Sequence, residues 1–174
     1  MKSFIPCIVL LFCESIFSQQ LSGFEDIPFA SSKEIVVKQM TNKNMQLGFE
    51  GDNVLGFAGG EYGSHKVYFW TYHFFDDKLH TVDIVFRRPD TLNKLREDII
   101  VYITQKYGVE SIEKIDYNNN LANMWYFQDE SNYTSDLIKL NLYETSTDET
   151  TYTLTFVNIE LFKESEHQED LNDN

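Results

Sequence analysis

Four histidines, two cysteines and a few paired carboxylates are the residues on which chemistry could rest in this chain. His73 and His80 flank a short acidic turn. In the hairpin register that best matches the apolar residues they project to opposite faces and cannot share an ion. His65 and His167 stand apart, and neither H-E-x-x-H nor paired C-x-x-C occurs, so no metal is expected. Asp116-x-Asn118-x-Asn120 copies the first ligand positions of a calcium loop. Leu121, however, stands where its sharp turn needs glycine, and Phe127 where it needs a bidentate glutamate. The segment reads instead as a polar turn closed by its own Asn and Asp side chains. Gly56, Gly59, Gly60 and Gly63 join strand to strand without the lysine of a phosphate loop. Ser31, Ser32 and Ser64 lie near glycine or a helix start, but no G-x-S-x-G is present. Asp76-Asp77 and Asp148-Glu149 fall at hairpin tips, where water solvates the charge and leaves no reason for a raised pKa. No catalytic residue and no cofactor is assigned. A hydrolase whose carboxylates meet only on folding stays open as an alternative, because such a pair needs no motif.

Composition narrows the classes further. The 174 residues are 42% hydrophobic and 15% aromatic, too rich for a disordered chain and enough for one core. With 14 basic against 28 acidic residues the net charge is −14, the wrong sign for nucleic acid or an anionic lipid surface.

The opening residues read as a leader. Lys2 precedes an apolar run from Phe4 to Phe12, and a polar region ends near Ser18, so 1–18 is expected to be a secretory signal peptide. The run is too short to span a membrane, for which about twenty apolar residues are needed. Cys7 and Cys13 both lie in this segment, so the mature chain has no thiol. Residues 19–159 are expected to form one domain, and 160–174 an acidic tail with a last turn of helix. The destination is periplasmic or extracellular.

The elements that would position any site follow from periodicity. Ser31 and Glu34 have capping-box spacing before a short helix through Val36, Val37 and Met40. Met45–Glu50 and Asn53–Ala58 read as strands around Gly51-Asp52. Lys66–Arg87 is the clearest hairpin. With Asp76-Asp77-Lys78 as its loop, Phe75 faces Leu79, and Tyr68, Trp70 and Tyr72 oppose Phe86, Ile84 and Val82. Leu92, Leu95, Ile99 and Tyr107 then mark a longer helix that ends at Gly108. Three strands follow, with Leu142 paired to Tyr152, Leu140 to Leu154 and Ile138 to Phe156. The pattern predicts an α+β two-layer sandwich, an antiparallel meander sheet with two helices on one face, possibly duplicated.

The segment Phe24 to Val36, with Pro28-Phe29-Ala30-Ser31-Ser32-Lys33-Glu34, resembles the opening motif of small exported bacterial domains. Envelope lipoproteins of the SmpA/OmlA type and the repeats of β-lactamase inhibitor protein share its helix-then-meander plan. The resemblance implies a non-enzymatic exported domain whose open sheet face is the working surface. On that face the alternation places Phe69, His73, Phe75 and Val85, with Trp125 and Tyr143 from neighbouring strands, as candidate anchors for a protein or peptide partner. A small-molecule carrier is the remaining alternative; it would need an apolar cavity between sheet and helices.

Overall fold

A computed structural model describes residues 21–86, 92–115, 121–128, 135–144 and 150–172. The expected leader, the Asp116–Asn120 turn and Asp148-Glu149 lie outside the described residues. The chain opens with a miniature hairpin, β1 (Gly23–Phe24) and β2 (Ile27–Pro28). Then come α1 (Lys33–Asn42), β3 (Gln46–Gly51), β4 (Val54–Ala58), β5 (Glu61–Tyr62), β6 (His65–Phe75) and β7 (Lys78–Phe86). The second half runs α2 (Leu92–Tyr107), β8 (Ile112–Ile115), β9 (Leu121–Gln128), β10 (Ser135–Glu144), β11 (Thr150–Val157) and α3 (Ile159–Asn172).

The long strands form one antiparallel sheet in the order β3-β4-β6-β7-β11-β10-β9-β8, with the short β5 pairing off β6. Each half is a helix followed by a meander whose last strand lies at the centre, and the halves meet where β7 pairs β11. The fold is the α+β sandwich expected from the alternation, and the order supports the reading of two like halves. The register of β10 with β11 is also as expected, Leu142 on Tyr152, Leu140 on Leu154 and Ile138 on Phe156. The sequence reading missed β8, whose four residues are all exposed and carry no alternation to follow.

One sheet face is the core. Trp70, Tyr72, Val82, Ile84, Leu140, Leu154 and Phe156 point into it and are buried. α1 packs there through Val36 and Met40, with the Tyr72 hydroxyl 3.0 Å from Met40 Sδ. α2 adds Leu95, Ile99 and Ile103, a stripe at i, i+4 and i+8. Gly108, at φ +66°, ends α2 by donating its N–H to Thr104 O at 2.8 Å. The entry segment also lies on this face. Phe24 is 2% exposed, its ring centre 5.8 Å from that of Trp70, 6.4 Å from Tyr72 and 4.9 Å from Phe156.

The β6–β7 register matches expectation in the middle and departs at both ends. Trp70 faces Ile84 and Tyr72 faces Val82. At the tip the loop has two residues, Asp76 and Asp77, both at positive φ (48° and 56°), so Phe75 faces Lys78 and Phe74 faces Leu79. Two residues in that conformation match the twist of the hairpin, and Asp tolerates it. The register then shifts between His73 and Phe74, and His80 becomes the extra residue of a bulge. A second bulge near the start of β6 leaves Tyr68 unpaired and pairs Val67 with Phe86. Val67, which strict alternation would set on the outer face opposite to Tyr68, is therefore in the core, and Tyr68, which the alternation aligns with Trp70 and Tyr72 on the inner face, is 60% exposed.

The cap of α1 also differs from expectation. Ser32, not Ser31, is the N-cap residue, and its side chain makes no capping bond. The Lys33 N–H is accepted instead by Asp77 Oδ1 at 3.0 Å, from the hairpin tip 44 positions away. Lys33 Nζ in turn donates to the carbonyls of Gly51 and Asp52. Residues 160–172, expected as a tail, continue the helix α3.

Phe24→Ala is expected to cost about 3–5 kcal/mol of unfolding free energy in urea titration, the range for deleting a buried aromatic ring. Asp77→Ala should cost about 1 kcal/mol, the usual value of a cap, while Asp76→Ala should cost less.

Candidate functional site

α3 lies on the sheet face opposite the core and divides it. Its covered end is built around His80. Two residues at the bulge point the same way, so His80 stands on the same face as His73, with ring centres 6.4 Å apart, rather than on the opposite face as the unbroken alternation predicted. Phe162 of α3 packs over it at 5.9 Å between ring centres. His73 Nε2 lies 3.0 Å from Asp83 Oδ2, and Asp83 Oδ1 accepts a hydrogen bond from Thr155 Oγ1 at 2.6 Å. His80 Nδ1 and Thr81 Oγ1 share another at 2.8 Å. The His80 carbonyl accepts from the Asn158 N–H at 2.9 Å, which fixes the entry into α3.

Burial, reinforced by the neighbouring His73, pushes the His80 pKa down to about 4, against a weaker opposite pull from Asp83. His80 is 8% exposed and enclosed by helix and strand. The network thus satisfies polar groups under α3. Among the described residues no group of three or more His, Cys, Asp or Glu could hold a metal ion.

The other end of this face is open. Phe49 on β3 and Phe69 on β6 stack with ring centres 5.3 Å apart and planes 7° from parallel. They can do so because the strand between them offers glycine. Phe49 pairs with Gly56 and Gly56 with Thr71. A Cβ on Gly56 would fall 2.2 Å from Phe49 Cε1 and 2.6 Å from Phe69 Cε1, so any side chain there displaces both rings. A Cβ on Gly48 would meet Phe69 at 3.2 Å. Phe49 remains 43% exposed, and Tyr68, raised by its bulge, stands beside Phe69. Val85 pairs with both Phe69 and Thr153 and continues the patch inward, half-buried. The result is a flat aromatic platform at the sheet edge.

Of the residues expected on this face, Phe69 and Val85 join the platform. Phe75 sits at the hairpin tip, half-buried opposite Lys78, and His73 is turned into the Asp83 network. Trp125 does not belong to the face. It is fully buried in the core, its indole N–H donating to Thr104 Oγ1 of α2 at 3.2 Å. Phe127 is buried likewise. Tyr143 lies in β10 opposite Thr151, and its side chain is outside the described residues. Phe49 was missed, although glycines at 48 and 56 beside a Phe-rich strand are the signal that could have found it.

A second cleft, about 400 Å³, lies between the β5–β6 turn and α2 and holds Ser64, His65 and Asp98. His65 Nε2 is 3.2 Å from Asp98 Oδ2, and Lys94 donates to the same oxygen at 2.8 Å. Among the described residues no hydrogen bond joins Ser64 to His65. No helix among the described residues is long and apolar enough to cross a membrane. Compared with family models, curated proteins and solved structures, the chain finds no match.

The low His80 pKa has a thermodynamic consequence. The unfolded chain takes up this proton near pH 6.5 and the folded chain only near 4, so stability falls as pH drops through that window. In His80→Gln the urea midpoint is expected to fall less steeply than in the wild type between about pH 6.5 and 4. Parallel pH profiles for the two proteins would contradict the assignment.

Proposed function

We propose that this is an exported, non-catalytic binding domain that holds a basic protein or peptide segment on the open end of the outer sheet face. The observation that carries the reading is the Phe49–Phe69 stack laid over Gly56, with Phe49 43% exposed and Phe69 half-buried. Tyr68, 60% exposed, flanks the pair. Exposed aromatic clusters of this kind are the usual anchors of interfaces. Charge decides the partner's sign. The chain carries −14, and α3, on the same face, exposes Glu160, Glu164 and Glu166 against Lys163. A segment rich in Arg and Lys gains from that field and can lay a guanidinium on the ring faces. The apolar run from Phe4 to Phe12 behind Lys2 supports export, and the resemblance of the Phe24–Val36 segment to the opening of SmpA/OmlA-type lipoproteins supports a binding role.

Two experiments test this reading. Arrayed soluble peptides of matched length and aromatic content, with net charge +3 or −3 as roughly chosen extremes, are expected to bind only when basic, and less tightly as salt rises. Phe49→Ala with Phe69→Ala should weaken the best binder by at least about 2 kcal/mol, roughly 30-fold, without lowering the melting temperature appreciably. Gly56→Val should do the same by pushing the rings aside. Binding that ignores peptide charge, or survives the double substitution, would overturn the proposal. For export, mass spectrometry of the mature protein from its native host should find an N-terminus at Gln19; an intact Met1 would contradict it.

A further inference from the structure

Among the described residues the sheet ends at one side on β3, whose strand neighbour is β4. Five of the six residues of β3 are exposed. An edge strand offers unpaired N–H and C=O groups to any passing chain, and proteins usually blunt it with lysine, proline or a very short strand. The other end of the sheet is guarded in that way, because β8 has four residues and carries Lys114. β3, from Gln46 to Gly51, contains neither lysine nor proline.

The register shows which backbone groups face outward. The Phe74 N–H donates to the Asn53 carbonyl at 2.8 Å, so residue 53 is turned to β6. Backbone groups alternate sides along a strand, so Val54 is turned to β3 and Leu55 again to β6. Glu50 stands opposite Leu55 and therefore points its own N–H and C=O to the open edge. By the same alternation Phe57 is turned to β6, and Leu47, opposite it, also points outward. Between them Gly48 is the extra residue of a bulge, which puts the Phe49 ring on the outer face over Gly56.

The outward amide of Glu50 thus lies one residue from the ring that begins the platform. Glu50 is exposed, and Asp52 in the following turn is exposed too, so the edge is acidic. A chain laid along it meets backbone partners, carboxylates and an aromatic face together. The net charge of −14 disfavours a second copy of this protein as that chain and favours a basic one.

We propose that the basic segment is held as an added antiparallel strand on β3, with an Arg or Lys opposite Glu50 and the side chains on either side of it laid across Phe49. The inference rests on the reading of the outer face as a basic-peptide site and adds the backbone to it. In such strand addition the main-chain bonds supply affinity, and alternate side chains supply selectivity. Residues directly opposite in an antiparallel pair share a face, so a cation opposite Glu50 forms a cross-strand ion pair.

The test titrates the full mature chain with acetyl-Arg-Tyr-Arg-Tyr-Arg-amide in a calorimeter. With Arg opposite Glu50, the Arg N–H groups point at β3 and the Tyr N–H groups at solvent. Methylating the Arg backbone nitrogens is expected to weaken binding at least about ten-fold, and methylating those of Tyr less than about two-fold. Glu50→Pro removes the outward N–H and leaves the β4 ladder whole, so it should weaken the parent peptide about ten-fold with little change in melting temperature. Equal binding by the two methylated peptides, or selective loss of the Tyr-methylated one, would overturn strand addition and leave the platform reading standing. No binding by the parent peptide or by any basic peptide of the array would overturn both. A concentration-dependent dimer in sedimentation that Glu50→Pro abolishes would assign the edge to a second copy and overturn the inference.

Discussion

Phe24 is the contact on which the arrangement depends. The two halves of the sheet share only the β7–β11 seam, and a long twisted sheet joined at one seam needs something to close its inner face between the helices. α1 covers the first half and α2 the second. The ring of Phe24 fills the ground between them, touching Trp70 and Tyr72 from one half and Phe156 from the other. The miniature hairpin that presents it tolerates no other residue at Gly23, where a Cβ would fall 2.3 Å from the Ile27 carbonyl oxygen. Because the chain's own entry segment seals this face, the proposed peptide is placed on the other one. An aromatic cavity of about 270 Å³ lies beside the plug.

On the outer face, three one-residue bulges, at Gly48, Tyr68 and His80, decide which side chain goes where. The bulge at His80 turns a histidine inward beneath Phe162, where it anchors α3 and is held neutral. The bulge beside Tyr68 moves Val67 into the core and lifts Tyr68 to the surface next to Phe69. The face is thereby split into an end covered by α3 and an end that presents rings to solvent. Strand bulges re-aim side chains without altering sheet topology, so the same meander carries a buried polar network and an exposed platform.

Much of this was legible in the sequence. The strict alternation of Tyr152, Leu154 and Phe156 against threonines fixed its pairing with Ile138, Leu140 and Leu142, since a slip of one residue would expose every apolar side chain. Phe69 and Val85 were placed on the outer face by the same reasoning. The failures have physical causes. Bulges leave no mark in an alternation count, so the faces of Tyr68, Val67 and His80 were misassigned. In β9, Met124-Trp125-Tyr126-Phe127 is apolar or aromatic at every position, so period two selects neither face, and Trp125 was read as outward. The cap of α1 comes from Asp77 across 44 positions, which no local motif encodes. Phe49 was missed because its neighbourhood depends on which strands flank β4, a tertiary fact. The proposed export and the proposed partner rest on sequence and surface chemistry.

The most direct test of the account is a map of backbone amide shifts in the mature protein as the tightest basic peptide is added. The account predicts changes centred on Gly48, Phe49, Gly56 and Phe69, fading toward α1 and α2. Changes confined to the helical side, with those amides silent, would contradict it.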